Sequence, residues 1–118
     1  MRTITGHEVN AANAMLTITA DEKGHGGASH RYVISEPMGN VGAIINFQEG
    51  AIAEVGINGI THEVLLAILI DRLQGFQAGP YSNSVTGCAL IKLEEAKHWL
   101  NARTLARMER GVEGTHKI

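Results

Sequence analysis

The chain has 118 residues, a formal net charge of −2, 44% hydrophobic and 19% charged side chains, which is ordinary for one soluble domain with a modest core. The charge is uneven, with five basic and ten acidic side chains in positions 1–96 and five basic and two acidic in positions 97–118. A small basic end on an acidic body excludes the broad positive stripe that long nucleic acids need, and leaves room for a compact anionic ligand. The single cysteine, Cys88, excludes an intrachain disulfide and fits a reducing cytoplasm. The N-terminus shows no charged n-region followed by an apolar h-region, so no secretory signal is expected. The apolar run Val64–Ile70 is too short to cross a bilayer.

In chain order, the β-type signals come first. Positions 1–60 hold nine of the 14 glycines. Leu16-Thr17-Ile18-Thr19 alternates apolar and polar side chains, as a half-buried strand does. Asp21–Gly27 (DEKGHGG) is a loop, and its glycines lack the spacing and following helix of a phosphate loop. His30–Ser35 predicts a second strand, Gly42–Gln48 a third and Ile52–Val55 a fourth, with Glu49-Gly50 as a tight connection. Gly56–Gly59 then breaks the pattern.

Two helices follow. The first begins at Thr61, a competent N-cap, with Glu63 near the positive end of the dipole. Leu65, Leu66, Leu69, Ile70, Leu73 and Phe76 recur at three- and four-residue spacings, while Val64 and Ile68 widen the stripe beyond one face. A helix this apolar is buried on more than one side, by its own chain or by another subunit. After Gly79-Pro80 the second helix starts between Ser82 and Ser84, and Gly111 supplies its stop. Leu90, Leu93, Ala96 (with Lys97 beside it) and Leu100 mark its core face, and Trp99 lies half in and half out. The fold class is therefore α+β: an N-terminal antiparallel β-sheet followed by a C-terminal two-helix hairpin. One domain is expected, with strands in 1–60, the hairpin in 61–111 and a tail in 112–118.

Few residues offer chemistry. Arg103, Arg107 and Arg110 fall at i, i+4 and i+7 on one helix face. They either complement the negative end of the helix dipole or clamp phosphate with their guanidinium forks. Ser84 and Thr86 are either simple helix-start residues or ligand contacts; Phe76 is either core or a stacking surface. Phe76, Tyr81 and the free amides of the second helix suit an anion carrying a base. The six histidines match no compact metal-ligand spacing, so no metal and no cofactor is expected. Cys88, beside Ala89, reads as a small buried side chain. No nucleophile–base pair stands out.

The ordered set Asp71-Arg72-Leu73, Phe76-Gln77, Gly79-Pro80, Ala89–Ala96 (ALIKLEEA), Trp99-Leu100, Arg103, Arg107 and Gly111–Thr115 (GVEGT) resembles the helical hairpin of phage anti-Thoeris and anti-CBASS proteins. Those proteins sponge up cyclic ADP-ribose isomers or cyclic oligonucleotides without degrading them. Gly26–Tyr32 (GGASHRY) and Val55–Ile60 (VGINGI) resemble the anti-Thoeris branch, so the similarity covers most of the chain. The resemblance implies that Phe76 stacks on an adenine, that Thr86 takes the place of a polar contact, commonly Asn, and that Arg103 and Arg107 hold the phosphates of a cyclic trinucleotide. Tyr81, Ser84 and Arg31 are further candidate ligand contacts. At Ser84–Gly87 (SVTG) the chain departs from the Arg-Glu-Asn-Ala-like run of relatives.

The implied function is non-enzymatic sequestration of cyclic nucleotide immune signals in the host bacterial cytoplasm. The implied partners are small cyclic nucleotides and further copies of the chain, as a homo-oligomer and by resemblance a hexamer built from dimers. No membrane and no long nucleic acid is expected. The alternatives are a phosphodiesterase-type enzyme using His30 and a carboxylate, and a non-catalytic interaction module. Arg103 and Arg107 are expected to share an open helix face, so that Arg107→Ala leaves melting nearly unchanged.

Overall fold

A computed structural model describes residues 1–118. The chain divides into two compact units, Met1–Ile60 and Thr61–Ile118. The first is a four-stranded antiparallel meander of β1 (Arg2–Ile4), β2 (Thr17–Ala20), β3 (Arg31–Ser35) and β4 (Val41–Asn46), in that spatial order. The α+β class, with a sheet preceding a helical hairpin, is as the sequence indicates.

Register in the sheet follows the side-chain alternation. Ile18 opposes Ile4 on one side and Ile34 on the other, while Ala20 sits between Arg2 and Tyr32 and is fully buried. A one-residue slip would turn these apolar side chains to the opposite face. Between β3 and β4 the register shifts at Ile34/Ser35, where Ile34 opposes Ala43 but Ser35 opposes Val41, so Gly42 is the extra residue. Tyr32 and Phe47 meet edge to face with ring centroids 5.8 Å apart.

The structure adds β1 and a short helix α1 (Ala11–Ala14), and corrects the expected fourth strand. Ile52–Val55 is a single helical turn, α2. Gly50 (φ +86°) and Gly56 (φ +75°) bracket it, and the amides of Glu54 and Val55 both donate to the Ala51 carbonyl at 2.9 Å. Four residues are too few to separate a period of two from a period of 3.6. Gln48 and Asn58 tie the loop ends together: Asn58 donates from its amide to Gln48 Oε1 at 2.9 Å, and accepts at Oδ1 from the Glu49 amide at 2.8 Å. Gly59 lets the chain return beside β4, where Ile60 donates to the Asn46 carbonyl at 2.8 Å.

The second unit is the hairpin of α3 (His62–Gln77) and α4 (Ser84–Glu109). Thr61 caps α3 by accepting from the Val64 amide at 3.3 Å, and Asn83 caps α4 by accepting from the Thr86 amide at 2.8 Å. At the far end Gly111 (φ +70°) makes a Schellman closure, its amide donating to Met108 and that of Val112 to Arg107, each at 3.0 Å.

Side chains at alternating three- and four-residue spacings are shielded along the seam: Glu63, Leu66, Ile70, Leu73 and Gln77 on α3, and Thr86, Leu90, Leu93, Lys97, Leu100, Thr104 and Arg107 on α4. This is the narrow stripe of a coiled-coil contact, apolar only in its middle. Ala96, expected on the core face, is exposed, and Lys97 takes that place with its stem along the seam. Cys88 is exposed rather than buried because it lies on the outer face. Ile70, at 9% exposure, is the one buried apolar side chain of the hairpin, while Val64, Ile68 and Trp99 are 45%, 58% and 66% exposed.

Two substitutions check this account. A Cβ on Gly59 would stand 2.4 Å from the Phe47 carbonyl carbon, so Gly59→Ala should lower the unfolding free energy by about 1–3 kcal/mol, read by urea titration. Asn83→Ala should cost about 0.5–2 kcal/mol through loss of the cap, with helical circular dichroism melting earlier.

Candidate ligand-binding site at the hairpin tip

The turn between α3 and α4 is held by side chains rather than by the turn alone. Gln77 Nε2 donates to the Asn83 carbonyl at 2.9 Å, and the Asn83 amide donates back to Gln77 Oε1 at 3.1 Å. Asn83 Nδ2 donates to the Tyr81 carbonyl at 3.1 Å while Oδ1 caps α4. Gly87 faces this lock, with space such that a Cβ would stand 3.2 Å from Gln77 Nε2.

The lock presents an aromatic pair. The rings of Phe76 and Tyr81 have centroids 6.3 Å apart, and Arg72 lies one turn before Phe76 with its guanidinium carbon 5.0 Å from that ring's centroid. Phe76 is 39% exposed and Tyr81 73%, so Phe76 is a partly open surface rather than a core side chain. Ser84 is exposed in the first turn of α4, and Thr86 lies half-buried on the seam. The first amides of α4 have no intrahelical acceptor, and the dipole favours negative charge beside them. The tip thus combines a flat π surface, a cation stacked on it and a helix N-terminus. Chemically that suits an aromatic base attached to an anion. Arg72 did not emerge from the sequence as a site residue. Its signal was the four-residue spacing to Phe76, which places cation and ring on one helix face.

The two late arginines lie elsewhere, about 28 Å (Arg103) and about 34 Å (Arg107) along α4 from Ser84 at 1.5 Å per residue. Arg103 is exposed and makes no hydrogen bond or ion pair. Arg107 does not share that open face. It is 8% exposed, and its guanidinium donates from Nε to Glu113 Oε2 at 3.2 Å, from Nη1 to the Lys117 carbonyl at 2.6 Å, and from Nη2 to the Val112 and Thr115 carbonyls at 3.0 Å each. The Schellman turn is the cause, since it folds residues 112–118 back over the last turn. Arg110 adds a bond to the Ile118 carbonyl at 2.8 Å.

Arg31 lies on β3, its side chain 45% exposed and 3.9 Å from Asp21 Oδ1. His30 Nε2 stands 3.8 Å from Glu49 Oε2 but bonds the His25 carbonyl at 2.8 Å, so that nitrogen fastens a loop. Both belong to the sheet unit.

The burial contrast corrects the expectation that Arg107→Ala leaves melting unchanged. Arg107→Ala should destabilise the hairpin by about 1.5–3 kcal/mol through lost charge-assisted bonds, whereas Arg103→Ala should stay within about 0.5 kcal/mol. Parallel thermal melts of the two variants make the comparison.

Residues 39–105 match the family model described as "Acb2/Tad1, hairpin domain", a span that includes α3, the tip and α4 through Arg103. The chain is 45% identical over 94 residues to "Thoeris anti-defense 1" of Bacillus phage SBSphiJ7, covering 80% of this chain and 66% of that protein. It therefore spans slightly under two-thirds of that relative's length. With more than half of its residues matched by the family model, the chain belongs to the Acb2/Tad1 hairpin-domain family.

Proposed function

We propose that this protein is a phage anti-defence protein that binds a cyclic nucleotide immune signal and holds it without cleaving it. The observation that carries this reading is the hairpin tip: Arg72 stacked on Phe76, Tyr81 beside it, and the N-terminus of α4 adjoining them. The tip lies within the residues that match the family. The anti-defence role is taken from the relative's name and from that membership.

The tip suits holding. A stacked base gains contact with Phe76 and Tyr81, and phosphate or pyrophosphate oxygens gain from Arg72 and the helix amides. Phe76, Arg72 and the helix amides bind without acting as a base or nucleophile, and tight ground-state binding without a stabilised transition state does not accelerate cleavage. In this reading Ser84 and Thr86 are the polar contacts at the start of α4, and Arg103 is an open cation for the phosphates of a cyclic trinucleotide, with Arg107 beneath it. Arg31, on β3 of the sheet unit, is a proposed ligand contact within its own unit.

The assembly belongs to the same proposal. Val64, Ile68 and Leu69 on α3 and Ile91, Trp99 and Leu105 on α4 remain 41–66% exposed, more apolar surface than a monomeric hairpin ordinarily leaves to water. We infer a homo-oligomer built on these helices, a hexamer built from dimers, acting in the host bacterial cytoplasm. Light scattering at micromolar concentration should report an even multiple of the chain mass, and a monomer contradicts it.

Native mass spectrometry against cyclic di- and trinucleotides and cyclic ADP-ribose isomers tests the binding. The reading expects a mass shift with at least one member of the panel, and no shift with any member removes it. Phe76→Ala should weaken an ADP-ribose-type ligand about tenfold or more, as loss of a stacking platform does. Its melting temperature should fall by less than a fully buried phenylalanine would require, since such a side chain costs about 3–5 kcal/mol when truncated.

A further inference from the structure

The loop that follows β4 carries a separate chemistry. Of the seven asparagines in the chain, Asn58 alone precedes a glycine. With no side chain on the following residue, the Gly59 nitrogen can approach the Asn58 side-chain carbon closely, and asparagine is one of the thermolabile residues. The fold fixes both members of the pair. Asn58 Nδ2 donates to the Glu49 carbonyl at 2.7 Å, and Oδ1 accepts from the Glu49 amide at 2.8 Å. An amide side chain supplies that donor and acceptor together, whereas a carboxylate only accepts. Gly59 is equally constrained, since a Cβ there would stand 2.4 Å from the Phe47 carbonyl carbon and 2.6 Å from the Asn46 carbonyl oxygen. The labile pair is therefore demanded by the packing of this loop beside β4.

We propose that Asn58-Gly59 is a site of spontaneous deamidation, held in check by a clamp of two amide side chains, and that its conversion releases the loop. In the reaction the Gly59 nitrogen attacks Asn58 Cγ and gives up its proton. The Cγ–Nδ2 bond breaks, and ammonia leaves with that proton. Water then adds to either carbonyl of the resulting succinimide, giving aspartate or isoaspartate at position 58. The net change is gain of water and loss of ammonia, with no oxidant or reductant.

The clamp sets when this happens. Attack makes Cγ tetrahedral, which takes Oδ1 and Nδ2 out of the plane in which they meet Glu49. Gln48 holds the same loop from its other end. Its Oε1 accepts from the Asn58 amide at 2.9 Å, and its Nε2 donates to the Gly50 and Gly56 carbonyls at 3.2 and 2.9 Å. The buried Ala51 and the Ile60 bonds to Asn46 and Gln48 add to this hold. Conversion therefore follows local opening of the loop and does not proceed from the closed form. Either product then keeps the loop from closing. Aspartate sets an oxygen against the Glu49 carbonyl where a donor stood, and leaves that carbonyl unpaired. Isoaspartate adds a methylene to the main chain immediately before Gly59, whose surroundings have no room for even a Cβ. Because the reaction runs one way, opened loops accumulate as the protein ages.

Peptide mass mapping of the full chain tests this, with samples held in mildly alkaline buffer either folded or unfolded in guanidinium chloride. The mass gain of amide-to-acid conversion should appear first at Asn58, as aspartate and isoaspartate peptides that separate by chromatography. It should run about tenfold or more slower in the folded chain, as the two bonds to Glu49 imply. Gln48→Ala, verified as folded by circular dichroism, should speed the folded-state reaction about fivefold or more, as loss of its bond to the Asn58 amide implies. Asn58→Asp, which is the aspartate product made directly, should melt about 3 °C or more below the parent chain. No conversion at Asn58 in denaturant, equal rates folded and unfolded, or a folded Gln48→Ala variant no faster than the parent overturns the proposal. An unshifted melt of Asn58→Asp overturns the release of the loop. If Gln48→Ala does not fold, the folded and denatured rates of the parent decide the matter alone.

Discussion

Gln77 and Asn83 close a two-way hydrogen-bonded ring across the hairpin turn, at 2.9 and 3.1 Å, and the geometry of the tip descends from it. A two-helix hairpin has many ways to turn, and each would place the ring of residue 76 differently against the start of the second helix. Here one amide side chain satisfies both main-chain polar groups of the residue that caps α4. The same Asn83 side chain then fixes the first turn of the helix and holds the Tyr81 carbonyl. Helix end, aromatic and cap are therefore set together, so the proposed ligand would meet a preorganised surface.

The opposite end of the hairpin follows a different physical logic. At the tip, polar groups are satisfied by the scaffold and the aromatics are left partly open. At the far end the buried cation, Arg107, is satisfied internally and its neighbour Arg103 is left open. The difference originates in Gly111. Its positive φ allows the Schellman closure, which returns the following residues over the last helical turn and sets carbonyls against Arg107. A substitution at either arginine consequently reads out different quantities, stability at one and surface chemistry at the other. The polar residues within the seam itself, Lys97 and Thr104 among them, keep the hairpin contact narrow. That narrowness is why so much apolar surface on both helices stays uncovered within one chain.

Much of this architecture was legible in the chain. Thr61, Glu63 in the first turn of α3, the Gly-Pro turn and Gly111 bound the helices nearly where they lie, because caps and stops act through local backbone chemistry. The strands at 17–20, 31–35 and 41–46 followed from alternation. The misread elements are short: Arg2–Ile4 has three residues and Ile52–Val55 four, and neither length fixes a period. The site was only partly legible. Phe76 and Tyr81 are neighbours across a turn that composition marks plainly, and Arg72 was recoverable from helical spacing. The state of Arg107 was not, because its partners are main-chain carbonyls that any sequence would offer. Only the three-dimensional return of the chain after Gly111 decides whether a late-helix arginine faces water or its own backbone. Ala96 and Lys97 show the same limit, since a one-residue rotation of the stripe changes which of them meets α3.

The central claim is that the signal is held and not consumed, and recovery of the ligand tests it most directly. Purified protein is incubated in excess with a cyclic ADP-ribose isomer and, separately, with a cyclic trinucleotide. Unbound ligand is removed, the protein is denatured by heat, and the released material is analysed by chromatography with mass detection. This account predicts depletion of at least one ligand from free solution and its return unchanged, with the starting mass and retention. Release of a linear or otherwise altered product, or ligand that stays free throughout, contradicts it.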